Sequence, residues 1–164
     1  MTDKNQTNEY LIFRFGTETF AIEITNVKEV INYTKITRVP RLPSHLSGII
    51  NLRGNIVSII DVRIKLGIDI MEITSDTCII VVEIQENDEV FQTGIPVDSV
   101  QEVIKLSKEQ IDFPPKVGMR LNTDYLKGIG MKNHNPVLIL DIEKIFEDDN
   151  PEEDNLEDKP DKNL

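Results

Sequence analysis

Apolar residues fall in short runs of four to eight positions, several alternating with polar residues, and turn-forming residues separate the runs at close intervals. The runs cover Tyr10 to Phe15, Thr19 to Ile24, Ile49 to Leu52, Asn55 to Ile60, Thr77 to Ile84, Val90 to Ile95, Gln101 to Leu106, Leu126 to Met131 and Pro136 to Leu140. Runs this short predict β-strands. Gly16, Arg53-Gly54, the stretch Gln85 to Asp88 and His134-Asn135-Pro136 supply turns between neighbours, which implies hairpins and a largely antiparallel sheet. Helical signals are brief. Thr25 or Asn26 would cap a single turn through Val30, and Ser107 with Gln110 forms a capping box. Asp61 and Asp141 would each cap a short helix after a strand.

The pattern repeats within the chain. Ile22, Ile24, Val27, Glu29, Val30 and Ile31 match Ile95, Val97, Val100, Glu102, Val103 and Ile104 at an offset of 73. Gly48, Ile49, Val57, Ile59 and Asp61 match Gly128, Ile129, Val137, Ile139 and Asp141 at an offset of 80. The seven extra residues fall near Lys108 to Asp124, where Pro114-Pro115 blocks regular structure. Two matches in the same order predict two similar β modules, roughly 9–74 and 75–146. Each is too small for a roomy core, so their apolar faces would bury against each other. Periodicity leaves open whether the first and last strands cross between modules.

Composition supports this division. Ile and Val contribute 24 and 13 residues while Ala21 is the only alanine, a skew toward pleated sheet and an all-β fold. At 164 residues the chain suits one ordinary domain or two very small ones and excludes a multi-domain enzyme. The two ends are polar, so 1–8 and 147–164 read as tails around a folded unit from Glu9 to Phe146.

The net charge of −11 opposes binding to nucleic acid or an anionic membrane surface, and aromatic residues make up only 5% with no Trp to stack bases. The stretch 147–164 holds nine acids and two lysines, so the body is only mildly acidic. No apolar run approaches the roughly 18 residues that span a bilayer, and the N-terminus has no apolar leader. A cytoplasmic protein without membrane insertion is expected.

Candidate chemistry is sparse. No metal, nucleotide or nucleophile-elbow motif occurs, and the lone Cys78 excludes an intrachain disulfide or thiolate zinc site. No cofactor or metal is expected. His45 and His134 fall in loops and read as solvated, and Cys78 heads an apolar strand as a small buried hydrophobe. Asp61 and Asp141 share a repeat position before short helices, which favours capping over an acid–base pair. Differences between the halves are more informative. Asn51-Leu52-Arg53-Gly54 places Arg53 at a hairpin tip, whereas the matching Met131-Lys132-Asn133-His134 lacks both Arg and Gly. A guanidinium there is a candidate for binding carboxylates or carbonyls. Glu29 and Glu102 lie in matched V-x-E-V segments that spacing alone does not assign.

Several segments carry a family resemblance: Glu-Val-Ile-Asn-Tyr at 29–33, Thr-Arg-Val-Pro at 37–40, Leu42-Pro43, Gly-Ile-Ile-Asn-Leu-Arg-Gly at 48–54 and Ile-Ile-Asp-Val-Arg-Ile-Lys-Leu-Gly at 59–67. With Gly-Ile-Pro-Val-Asp-Ser-Val-Gln-Glu-Val at 94–103 and Leu-Lys-Gly-Ile-Gly at 126–130, the stretch from Tyr10 to Phe146 resembles the CheW family of chemotaxis coupling proteins. Ser58, where proline is common, and Val62, where leucine is usual, are mild departures. The resemblance implies two five-stranded, SH3-like β-barrel subdomains packed on a shared hydrophobic core, and no enzymatic activity. It implies an adaptor that joins the regulatory domain of the histidine kinase CheA to the cytoplasmic hairpin tips of methyl-accepting chemoreceptors in a signalling array. By match, Val27, Glu29 and Arg53 would meet the receptor, with Val100 and Val103 nearby and Gly48 and Gly54 shaping the hairpin. Kinase contacts in the family are mostly apolar surface at one end of a barrel and are not assigned to residues here. The same fold would also suit a coupling protein of another kinase pathway, such as surface motility or transcriptional control.

Overall fold

Several strands are covered on both faces, and this decides the architecture. In the computed structural model, which describes residues 6–43, 45–115 and 121–147, β1 (Thr7–Phe15) buries Tyr10 and Ile12 on one face and Leu11, Phe13 and Phe15 on the other. The residues 1–5 and 148–164 of the two expected tails lie outside the described residues. Thr7 and Asn8 continue the β1 ladder opposite Ser107 and Leu106.

Nine further strands follow: β2 (Glu18–Glu23), β3 (Val27–Asn32), β4 (Leu46–Leu52), β5 (Asn55–Ile60), β6 (Cys78–Glu86), β7 (Glu89–Val97), β8 (Ser99–Ser107), β9 (Leu126–Lys132) and β10 (Asn135–Leu140). Two short helices, α1 (Val62–Leu66) and α2 (Ile142–Glu147), leave β5 and β10. The expected helical turn through Val30 is corrected: only Ile24–Asn26 forms a 3-10 turn, and Val27 onward is strand. Its residues alternate between half-buried and exposed, the period-two pattern of a sheet.

The strands form two five-stranded sheets, ordered β8-β1-β2-β10-β9 and β3-β6-β7-β5-β4. Pairing is antiparallel except where β5 meets β7 and β2 meets β10. The sheets do not divide the chain near residue 74. One takes the continuous stretch from β3 to β7, and the other joins β1 and β2 to β8, β9 and β10. The chain therefore passes between sheets twice, at Ile24–Asn26 and at Asp98.

Each sheet is closed by the segment that follows one outer strand and bridges to the other. Thr37 exchanges two backbone hydrogen bonds of 2.9 Å with Ile49 on β4. Asp112 exchanges bonds of 2.9 and 2.8 Å with Ile129 on β9. These seams bring backbones very close. A Cβ on Gly48 would lie 2.1 Å from the Thr37 carbonyl oxygen, and one on Gly128 would lie 2.8 Å from that of Asp112. Gly48 also holds φ +145, a conformation that side chains rarely adopt. These bridges close each sheet into an SH3-like barrel.

The core has three parts. Tyr10, Ile12, Ala21, Leu106, Val137 and Ile139 fill the discontinuous barrel. Ile50, Val57, Ile59, Ile79 and Val81 fill the continuous one. Between them a larger shared core gathers Leu11, Phe13, Phe15, Phe20 and Ile22 from one barrel with Ile60, Ile80, Val82, Ile95 and Val97 from the other. Alternation places successive residues of β1, β2, β5, β6 and β10 in a barrel interior and in this shared layer.

Helix α1 braces the two barrels. Asp61 caps it, accepting from the Arg63 backbone at 3.1 Å, and Gly67 ends it with φ 77. The Arg63 side chain is buried and bidentate to Asp61, with both nitrogen–oxygen distances 2.9 Å. Its third donor reaches Asp98 at 3.0 Å, and its guanidinium lies 5.8 Å from the Phe15 ring centroid. Asp98 in turn accepts from the Gly16 amide at the β1–β2 turn. Lys65 donates to the Ile145 carbonyl at 2.6 Å.

Candidate functional site

The β4–β5 hairpin turns through two residues of positive φ, Arg53 (50°) and Gly54 (89°). Asn51 accepts from the Gly54 amide at 2.9 Å, which ties the turn to its own strand. Such turns favour Asn or Gly at both central positions, so an Arg at the first carries strain of about 1–3 kcal/mol. The equivalent β9–β10 turn uses Asn133 (50°) and His134 (67°) instead. Backbone strain at Arg53 buys position: its side chain is 65% exposed and pairs with Glu29 on β3, whose side chain is only 25% exposed. β3 and β4 lie at opposite ends of the sheet order, so this ion pair spans the closed seam of the continuous barrel.

Among the other residues expected to meet a receptor, Val27 begins β3 directly after the Ile24–Asn26 crossing and packs on the shared core. Val100 packs on the same core from β8, and Val103, also on β8, is 45% exposed. Five of the seven residues thus belong to the continuous barrel and two to the other. Gly48 does not share the exposed tip with Arg53. It is buried near the start of β4, paired with Ile59, where its lack of a side chain lets the seam close.

A second ion pair escaped the sequence reading. Lys132, at the end of β9, pairs with Glu102 on β8 across the seam of the discontinuous barrel. The offset of 80 aligns Lys132 with Leu52, one position before Arg53, so strict matching concealed the equivalence.

An apolar groove opens at one end of the continuous barrel. The parallel β5–β7 pairing extends only over Ser58–Thr93 and Ile59–Gly94. The opening, about 740 Å³, is lined by Ile56, Val90 and Phe91, which are 66%, 58% and 46% exposed, with Ile49, Ile84 and Phe146 behind. The matching positions of the other barrel are Pro136, Thr17 and Glu18. Reading the offsets for polarity as well as identity would have found this asymmetry.

The carboxylates at the shared repeat position are committed to structure. Asp61 is buried against Arg63, and Asp141 accepts from the Lys144 backbone at 3.0 Å. His45 is half-buried rather than solvated, and its carbonyl accepts from the Asp61 amide at 2.7 Å. Among the described residues no group of three or more His, Cys, Asp or Glu is placed to hold a metal ion. No described helix is long and apolar enough to cross a membrane.

Comparison with known proteins accounts for this architecture. The family model for the CheW-like domain matches residues 9–150. The chain is 36% identical to the chemotaxis protein CheW of Klebsiella aerogenes, covering 84% of this chain and 81% of that one. It is 33% identical to CheW of Helicobacter pylori, covering 90% and 86%, and 32% identical to CheW of Bacillus subtilis, covering 90% and 92%. A crystal structure of the scaffolding protein TtCheW from Thermoanaerobacter tengcongensis superposes with a TM-score of 0.76 at 30% identity, covering 86% of this chain and 88% of that one. A double barrel with paired seams, matched by sequence from residue 9 to 150 and in shape by a solved scaffold, makes this chain a member of the CheW-like domain family.

Proposed function

We propose that the chain is a non-enzymatic chemotaxis adaptor that couples the cytoplasmic tips of chemoreceptors to the regulatory domain of the kinase CheA. The observation that carries this reading is Arg53, an exposed guanidinium in a strained turn, resting on the half-buried Glu29. An ion pair this exposed contributes less than about 1 kcal/mol to folding, so a partner's carboxylate or carbonyl can replace Glu29 at small cost. Val27, Val100 and Val103 supply the apolar part of a helix-in-groove contact, and the Glu29–Arg53 pair its polar rim. Gly54 shapes the Arg53 turn, and Gly48 supports it through the seam.

The apolar barrel end at Ile56, Val90 and Phe91 is the surface we assign to the kinase domain. Its residues Asn55 and Ile56 follow directly on the Arg53-Gly54 turn, so the two proposed surfaces adjoin on one hairpin. The chemotaxis names of the relatives favour this pathway over a motility or transcriptional kinase. With both partners in the cytoplasm, the adaptor acts there and joins receptor arrays by binding.

The test is CheA autophosphorylation in receptor-containing membranes with the wild-type chain, with Arg53→Ala, and with neither. Stimulation by the wild type, and at least threefold less by a normally folded Arg53→Ala, supports the proposal. Equal stimulation by the two proteins removes Arg53 from the contact, and none by the wild type overturns the coupling role.

A further inference from the structure

The two barrels are joined covalently at two places only, and these are unlike. At one, Asp98 links β7 to β8 and is clamped by Arg63, which is itself bidentate to Asp61. The opposite crossing carries Thr25 at the position matching Asp98, and the helix residue matching Arg63 is the exposed Glu143. Among the described residues the second crossing has no buried guanidinium clamp: the ion pair beside it, Glu23 with Lys127, is partly exposed and stays within one barrel. Asp98 lies two residues before Val100, at the start of the strand that also carries Val103. Arg63 belongs to α1, which follows β5 of the hairpin that carries Arg53.

We infer that Arg63 is a positioning residue: by holding Asp98 it sets β8 of one barrel against the β4–β5 hairpin of the other, and so fixes the shape of the receptor surface. This rests on the proposed receptor face, whose residues are divided between the barrels. The three-donor geometry suits the task, because a planar guanidinium engaged on both sides fixes orientation as well as distance. Burial in the shared interface shields the clamp from solvent screening. Apart from Phe146 of α2, the proposed kinase groove is lined by β4 to β7 of one barrel, so it depends less on the angle between barrels than a face divided between them.

The experiment uses the full chain with Cys78→Ser and nitroxide labels on cysteines replacing the exposed Glu89 and Lys105, one on each barrel. Pulsed EPR then compares inter-barrel distances in this parent and in Asp98→Asn, an isosteric change less disruptive than Arg63→Ala. Affinities of the unlabelled proteins are measured for a soluble chemoreceptor tip fragment and for the CheA regulatory domain of the same genome. The expected result is a broader distance distribution, receptor-fragment affinity reduced about tenfold, and kinase-domain affinity within twofold of the parent. Equal loss of both affinities assigns Arg63 a general structural role and overturns the inference, as does an unchanged distance distribution. Failure of the parent to bind the receptor fragment refutes the receptor face itself, whereas the distance comparison still decides whether the clamp sets the angle.

Discussion

Arg53 reaches from the tip of one hairpin to Glu29 on the strand across the barrel seam, and Lys132 repeats the contact with Glu102 in the other barrel. The exposures are reversed: Arg53 is the exposed member of its pair, whereas Lys132 is 27% exposed and Glu102 47%. Two seams of one design thus present opposite charges to solvent, a cation on the continuous barrel and a carboxylate on the other. A partner that approaches both meets a polarised surface.

Removing Arg53 should separate folding from function. Arg53→Ala is expected to change unfolding free energy by less than about 1 kcal/mol, because the pair is exposed. Arg63→Ala should instead cost about 3–5 kcal/mol, since it strands Asp61 and Asp98 in the interface. Urea titration of the two variants beside the wild type measures the contrast. Similar losses would contradict the different roles given to the two arginines.

Gly48→Ala tests the seam. Its Cβ would collide with the Thr37 carbonyl, and a side chain at φ +145 is strained in any case, so a loss of about 3 kcal/mol is expected. Amide exchange at Thr37 and Ile49 should quicken more than exchange at Ile139 in the far barrel. Uniform quickening would mean that the two barrels unfold as one.

Phe91→Ala should weaken binding of the CheA regulatory domain at least tenfold while leaving affinity for the receptor tip within twofold. An exposed aromatic beside Ile56 and Val90 has the character of an interface anchor. Titration calorimetry with each partner checks the separation, and unchanged kinase affinity would place that contact elsewhere.

Tyr10 gives the protein an alkaline limit. Burial raises its hydroxyl pKa above 10.0, and the charge of Glu23 adds to this, against a hydrogen bond with Asn8 and the charge of Lys127. The native state therefore holds this proton more tightly than the unfolded chain. The associated stability is complete below pH 10 and is lost as pH rises through the raised native value. Tyr10→Phe should flatten the fall in stability above about pH 10, measured by urea melts from about pH 8 to 11.

Much of this fold was legible in local pattern. Nine strands, the capping aspartates and the turn at Arg53-Gly54 followed from alternation and turn chemistry, because those signals act between near neighbours. The missed β3 was visible in the repeat: Val27 to Ile31 match Val100 to Ile104, which overlap the run Gln101 to Leu106 read as strand, and the nearby capping signal at Thr25 and Asn26 obscured this. Which strand joins which sheet was not legible, since β1 and β6 carry similar apolar runs and either satisfies a neighbour's hydrogen bonds. At the candidate site, the difference between the halves marked Arg53 and resemblance assigned Glu29, and only closure of the barrel brings them together. Lys132 and the apolar end were hidden for a related reason: pairing across a seam tolerates a shift of one residue that sequence matching does not.

The discontinuous barrel sets an order of events during synthesis. The continuous barrel, β3 to β7, has all its strands once Val97 has emerged from the ribosome. The β1–β2 hairpin, with Phe13, Phe15 and Phe20, is made first yet waits for β8 and β10. At about 5–20 residues per second, the 120 residues between Phe20 and Leu140 take roughly 6–24 s. A lone hairpin is marginal in water, so its three phenylalanines need shelter for that interval. The nascent barrel of β3 to β7, whose Ile80, Val82, Ile95 and Val97 later form the shared core, is the nearest apolar surface that this same chain provides.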